Sequence, residues 1–242
     1  EFTIPLHSPL IDLEAFGSQL LLYNREDRRD PPSDWLLDPA TGTWTQLPAD
    51  PLDPSDLRIY RVHGADLYLF TRYFIDLPGV FDDRFIVRAA RWRNGQWTVL
   101  PTPPEQPEVG ITIPSLIAGE RLIAPSLNCD TGDLAPHERC IPYGTVFDTR
   151  TDTWHDLPNA PGGSLRFFAS GGALSDSDLV IGQLGHPALD ATTNEWFLVP
   201  RLDAYDELDM KPSMGGVGPY GFAYGGGKAP GQMVGDSWIW KP

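Results

Sequence analysis

The stretch that decides the fold is Asp38-Pro39-Ala40-Thr41-Gly42-Thr43-Trp44-Thr45-Gln46-Leu47-Pro48. It returns three times. The second copy is Trp92-Arg93-Asn94-Gly95-Gln96-Trp97-Thr98-Val99-Leu100-Pro101. The third runs from Asp148 through Asp152 and Trp154 to Leu157-Pro158, and the fourth from Asp190 through Asn194 and Trp196 to Val199-Pro200. Each copy has a Trp, an apolar residue three positions on and a Pro four positions on. Two residues before the Trp stands Gly42, Gly95, Asp152 or Asn194, the residue types that tolerate a left-handed backbone. Each copy therefore reads as a strand, a tight turn closed through that position, and a second strand opening at the Trp and ended by the Pro.

Two further strand-like runs precede each copy. They are Leu6 to Leu13 and Gln19 to Tyr23, then Leu57 to Val62 and Asp66 to Phe70. The third pair is Ile111 to Ile117 and Arg121 to Ala124, and the fourth is Leu165 to Ala169 and Asp178 to Ile181. Four short antiparallel strands per repeat, at Trp intervals from 42 to 57 residues, are the pattern of a β-propeller. The chain ends fit the same scheme. Asp236-Ser237-Trp238-Ile239-Trp240-Lys241-Pro242 matches the third strand of the first unit, Ser33 to Pro39. Phe2 to Leu10 mirrors Trp44 to Leu52, the fourth strand. The N-terminal strand is thus predicted to close the last blade, which removes an exposed sheet edge. Phe2, Trp44, Trp97, Trp154 and Trp196 then mark five blades of one all-β domain over 1–242. Blades lying outside this stretch would leave the same signature, so a six- or seven-bladed parent remains an alternative.

Composition agrees. The 242 residues include 24 Gly and 25 Pro, spread along the chain, and long helices do not survive such a density of breakers. Hydrophobic residues make up 41% and charged residues 21%, as in an ordinary folded chain. Lys and Arg number 18 against 33 Asp and Glu, a net charge of −15. The densest basic run, Arg25 to Arg29, is broken by Glu26 and Asp27. A phosphate-backbone binder needs clustered cations, so nucleic acid is disfavoured as a partner, and so is an anionic membrane surface. No apolar run reaches the roughly 18–20 residues of a membrane span. The chain opens at Glu1-Phe2-Thr3 without an initiator Met and reads as a mature form or a fragment.

The two cysteines, Cys129 and Cys140, flank a polar segment that reads as a long loop. A disulfide between them would stiffen it and would point to an oxidising, secreted setting; two free thiols are the alternative. A metal site is disfavoured, because only His137 lies between them at no known zinc spacing. No cofactor is expected.

The Asp-Pro-x-Thr-x-x-Trp-x-x-Leu-Pro signature resembles the kelch repeat over almost the whole chain. The Trp and turn positions are kept; the kelch double glycine is matched only by Tyr224-Gly225-Gly226-Gly227. The Asp-box of sialidase-like propellers is a rival pattern, and the following Leu-Pro favours kelch. The resemblance implies a propeller that binds a protein or another ligand. Some kelch-like proteins are enzymes, including copper-radical oxidases and sialic-acid epimerases. The copper chemistry needs Tyr, Cys and His ligands at the axis, and both cysteines here lie in one loop. The repeat Trp residues read as packing elements rather than sugar platforms.

In such a scaffold the long loops gather on one face, and binding concentrates there. They are Asn24 to Ser33, Tyr73 to Asp83, Asn128 to Pro142 and Pro200 to Met210. Arg25, Arg28, Tyr73, Phe74, His137 and Arg139 are candidate ligand contacts on them. Arg58 and Arg166, near the starts of inner strands, are candidates for a central pocket. Arginines with aromatics are the composition of recognition surfaces. The alternative is a carbohydrate-active enzyme or lectin-like sugar binder on the same scaffold, with Asp12, Glu14, Asp56, Asp203, Asp206 and Glu207 as candidate carboxylates.

Overall fold

The computed structural model describes residues 5, 11–25, 34–55, 57–75, 84–103, 116–129, 140–156, 172–173, 179–181, 187–190, 193, 195–198, 213–217, 220–225, 227–229, 232–233, 235 and 237–240. All regular structure among them is β, and every strand pairing is antiparallel. No helix among them is long and apolar enough to cross a membrane.

The chain divides into two units, 1–113 and 114–242. The first holds two four-stranded meanders. One is β1 (Ile11–Phe16), β2 (Gln19–Asn24), β3 (Trp35–Asp38) and β4 (Thr43–Gln46); the other is β5 (Leu57–His63), β6 (Asp66–Ile75), β7 (Arg84–Arg93) and β8 (Gln96–Val99). The second unit holds the meanders β9 (Leu116–Ala118), β10 (Arg121–Cys129), β11 (Cys140–Asp148), β12 (Thr153–Asp156) and β13 (Gly172–Ala173), β14 (Leu179–Ile181), β15 (Pro187–Asp190), β16 (Glu195–Leu198). It also holds β17 (Ser213–Val217) and β18 (Tyr220–Tyr224), a small ribbon of β19 (Gly227–Ala229) and β20 (Gln232–Met233), and β21 (Ser237–Trp240), which pairs with β18.

The repeat has a visible cause in its turns. Asp38 Oδ1 accepts the amides of Ala40 and Thr41 at 2.9 and 3.3 Å, and the Gly42 amide donates to the Asp38 carbonyl at 2.8 Å. Gly42 sits at φ 72, where glycine carries no Cβ penalty. Asp148 Oδ1 accepts the Arg150 amide at 2.9 Å and Asp190 Oδ1 the Thr193 amide at 3.2 Å, so the same side chain caps the third and fourth turns. Asp152 takes the left-handed position at φ 55. The second copy lacks the Asp because its turn is two residues shorter. Asn94 and Gly95, at φ 50 and 81, form a two-residue hairpin with both positions left-handed. Asn194 lies outside the described residues.

Several strand limits differ from the sequence reading. β1 begins at Ile11 and runs on to Phe16, because the turn falls at Gly17, φ 60. Residues 6–10 and 165–169 lie outside the described set. β6 and β10 continue well beyond Phe70 and Ala124, so the ends of two segments read as loops are paired strand. The repeat strands also stop two residues before their Pro. The intervening Leu47 and Leu100 turn inward instead, both 5% exposed, and their amides donate to the Asp34 and Ala89 carbonyls at 2.8 and 2.9 Å.

The core of the first unit is apolar side chains from both of its meanders: Leu21, Tyr23, Leu36 and Leu47 against Tyr60, Leu67 and Leu69. Trp97 packs on this cluster beside Trp92, ring centroids 5.3 Å apart, and its indole N–H donates to the Pro48 carbonyl at 3.0 Å. One repeat Trp thus fastens its sheet to the end of the preceding repeat. In the second unit Leu122, Ile123, Val146, Phe147, Ala188 and Leu189 are buried, and Trp154 lies over Phe147 at 5.0 Å.

Candidate functional site

Each of the first three meanders has its long connection between the second and third strands, at residues 25–34, 76–83 and 130–139. The repeat turns sit at the opposite end. The β6–β7 hairpin carries its connection out to the pair Ile75 and Arg84, and β10–β11 carries its own to Cys129 and Cys140. The link from β4 to β5 also lies at this end. Two groups of described polar side chains of the first unit, around Asp12 and around Arg58, lie toward this end.

Asp12 and Tyr23 are register partners across β1 and β2. The Tyr23 hydroxyl donates to Asp12 Oδ2 at 3.4 Å, and Arg25 Nε stands 3.2 Å from the same oxygen. Burial, aided by Asp12, pushes the Tyr23 phenol up to about 12. The Asp12–Arg25 pair is half-exposed. Two residues along the same face of β1, Glu14 Oε1 accepts Arg61 Nη1 at 2.8 Å. Burial raises the Glu14 carboxyl above its ordinary range, against the opposing pull of Arg61. At the β6–β7 hairpin the Tyr73 hydroxyl donates to the Asp53 carbonyl. The Arg88 guanidinium lies 5.6 Å from the Tyr73 ring centroid and 3.3 Å from Asp53 Oδ2. The Asp12–Arg25 and Asp53–Arg88 pairs are open, worth about 0–1 kcal/mol each to stability. Their groups remain within reach of a ligand.

Beneath them is a closed network. Arg58, 1% exposed, donates from Nη1 and Nη2 to the two oxygens of Asp34 at 3.0 and 2.7 Å. Nη2 also donates to Asp50 Oδ2 at 2.9 Å and Nη1 to the Asn24 carbonyl at 3.4 Å. The Tyr60 hydroxyl donates to Asp34 Oδ2 at 2.5 Å. Burial alone would lower the Arg58 pKa, yet the bonds to Asp34 hold it above its usual value. Tyr60 is held well above its own by burial and by Asp34. Asp50 is raised: burial outweighs Arg58, because a single guanidinium serves two carboxylates.

The sign of the Asp50 shift sets a pH dependence. The folded carboxyl binds its proton more tightly than the unfolded one, whose value is 3.8. Its contribution to stability is complete below that value and is lost as pH rises through the raised folded value. Asp50→Asn removes this term. Urea unfolding of both proteins from pH 3.5 upward is expected to show wild type losing stability relative to Asp50→Asn as pH rises, then a constant difference above the folded pKa.

The sequence candidates fall as follows. Arg25 and Tyr73 stand at the loop end with their side chains placed. Arg58 stands at the same end with its side chain buried. Phe74 lies on β6 opposite Phe85. Asp12 and Glu14 share a face of β1. Arg28, His137, Arg139, Arg166, Asp56, Asp203, Asp206 and Glu207 lie outside the described residues. Cys129 and Cys140 are direct register partners of β10 and β11. Among the described residues no three His, Cys, Asp or Glu form a metal-binding group. Asp34, Asp50, Tyr60, Arg61 and Arg88 have no signal in the sequence beyond a polar residue in or beside an apolar strand.

No family model matches the sequence, and no curated protein matches it either. Solved structures are similar to it at low identity. YjhT is 12% identical over 97% of this chain and 95% of its own, with a TM-score of 0.48. TolB from Acinetobacter baumannii is 16% identical over 93% of this chain and 49% of its own, with a TM-score of 0.37. What stands on the sheets themselves is an all-β chain of successive antiparallel meanders, most of four strands.

Proposed function

We propose that the chain is a kelch-type β-propeller binding module whose ligand, a protein or a glycan, docks where the long second-to-third connections emerge. The observation that carries this reading is the β6–β7 hairpin. It carries Tyr73 beneath Arg88 to the same end at which Arg25 meets Asp12. Aromatic and arginine groups on a rigid sheet end suit recognition. In this reading the successive meanders are five blades of one domain, with residues 2–10 as the fourth strand beside β21. Glycan and peptide arrays test it. Wild type is expected to bind a defined ligand, and Arg25→Glu with Tyr73→Ala to weaken that binding at least about tenfold at unchanged melting temperature. Unchanged binding in the double variant would remove this face from consideration.

A sugar-processing enzyme is the second reading, favoured by Asp12 and Glu14. They lie on one face of β1 in unlike environments, Glu14 raised by burial and Asp12 partly open beside Arg25. Two carboxylates on one strand face are the groups that glycoside hydrolysis uses. Turnover of any glycoside that Glu14→Gln abolishes would establish it.

We also propose that Cys129 and Cys140 form a disulfide, as in a protein exported to an oxidising compartment. Antiparallel partners stand with Cα atoms about 4.5–5.5 Å apart, within the range a disulfide spans. Mass spectrometry of non-reduced protein is expected to find no alkylatable thiol. Two alkylatable thiols would contradict the bond.

A further inference from the structure

We propose that Arg58 is the positioning residue of the loop-end face: a buried clamp that joins both stems of the connection between β2 and β3 and so fixes where Arg25 stands. The stem leaving β2 is held twice. The Arg58 amide donates to the Arg25 carbonyl at 2.7 Å, and Nη1 donates to the Asn24 carbonyl at 3.4 Å. The stem entering β3 is held through Asp34, which takes both guanidinium arms and the Tyr60 hydroxyl. Asp34 in turn offers its carbonyl to the Leu47 amide at 2.8 Å, tying that stem to the end of the first repeat. Asp50 anchors the far side. It accepts Arg58 Nη2 on one oxygen and the Leu52 amide at 2.9 Å on the other, which brings the β4–β5 link into the same knot.

The planar fork matters here. A guanidinium reaches two carboxylates and a carbonyl in fixed directions at once; an ammonium is a point charge and does not. The side chain is also out of reach of a ligand, since Arg58, Asp34 and Asp50 side chains are only 2–5% exposed. Its effect on the face is therefore indirect, through the backbone of Asn24 and Arg25 and the carboxylate of Asp34. That this matters for binding rests on the binding-face reading above; the clamp itself does not.

Native-state trypsin cleavage after Arg25 measures the clamp without a ligand. Cleavage after Arg150, exposed at a turn of the second unit, is the internal control. Arg58→Lys keeps the charge and loses the fork. It is expected to speed cleavage after Arg25 on the order of tenfold, with cleavage after Arg150 unchanged, because proteolysis tracks the population of the locally open form. Asp34→Asn, which weakens the same chelate, is expected to act in the same direction and carries the measurement if Arg58→Lys does not fold. Asp50→Asn leaves the Arg58–Asp34 chelate in place and is expected to change the Arg25 rate no more than about twofold. Equal acceleration at both sites, or no acceleration in either chelate variant, would overturn the proposal. Failure to find a ligand on the arrays would leave this readout intact.

Discussion

Replacing Arg58 by Met is expected to destabilise the first unit by about 3–5 kcal/mol, the largest effect of any single polar substitution among the described residues. The size follows from what remains rather than from what is removed. Asp34 and Asp50 stay buried, and both lose the cation that faced them. Burying unpaired charge is far costlier than any surface pair is worth. Against a typical whole-domain stability of about 5–15 kcal/mol, such a loss is large enough to read in any urea titration. The triple variant Arg58→Met, Asp34→Asn, Asp50→Asn separates this cause from simple loss of packing. It removes both orphaned charges and is expected to recover a substantial part of the stability, because an ion cluster replaced as a whole is often nearly neutral. A loss under about 1 kcal/mol in the single variant would place Arg58 among ordinary surface arginines.

The second large effect belongs to the second unit. Phe147 is fully buried on β11, between register partners Leu122 and Trp154, with the Trp154 ring 5.0 Å away. Phe147→Ala is expected to cost about 3–5 kcal/mol, combining lost apolar transfer with the cavity left under the indole. Phe147→Leu is expected to cost markedly less, since most of the volume is retained. Urea unfolding followed by tryptophan fluorescence reads both, because the cavity borders Trp154. Equal losses in the two variants would show that packing volume at this position is not what Trp154 requires.

These two positions mark what the sequence makes legible. Phe147 stands one residue before the Asp of the third repeat, and its burial is implied by that phase. The repeat is readable because each of its residues acts locally. Asp38 and Asp148 cap turns, Gly42 and Asp152 supply the left-handed step, and Leu47 and Leu100 fill the core. The caps and the left-handed step act within five residues of sequence, so a pattern along the chain reveals them. The Arg58 network has no such pattern. Its partners Asp34 and Asp50 stand 24 and 8 residues away, outside any repeat phase, and come together only when the first meander packs on the second. For the same reason Arg58 reads as a pocket residue along its strand alone. Tyr73 and Phe74 read as loop aromatics because Asp76 and Pro78 follow closely. Across the hairpin they are register partners of Ile86 and Phe85, β-forming residues that extend the strand through them.

In the proposed propeller the meanders are blades of one domain, closed by the N-terminal strand. In the first meander, Leu36 of β3 faces Thr45 of β4. The matching residues at the two ends of the chain are Ile239 and Thr3, so closure would bring them opposite each other. The direct measurement is mild oxidation of Thr3→Cys/Ile239→Cys, followed by non-reducing peptide mapping of the monomer fraction. The expected result is an intramolecular disulfide joining positions 3 and 239 at unchanged elution volume. Two engineered thiols that both remain alkylatable in the folded monomer would contradict it.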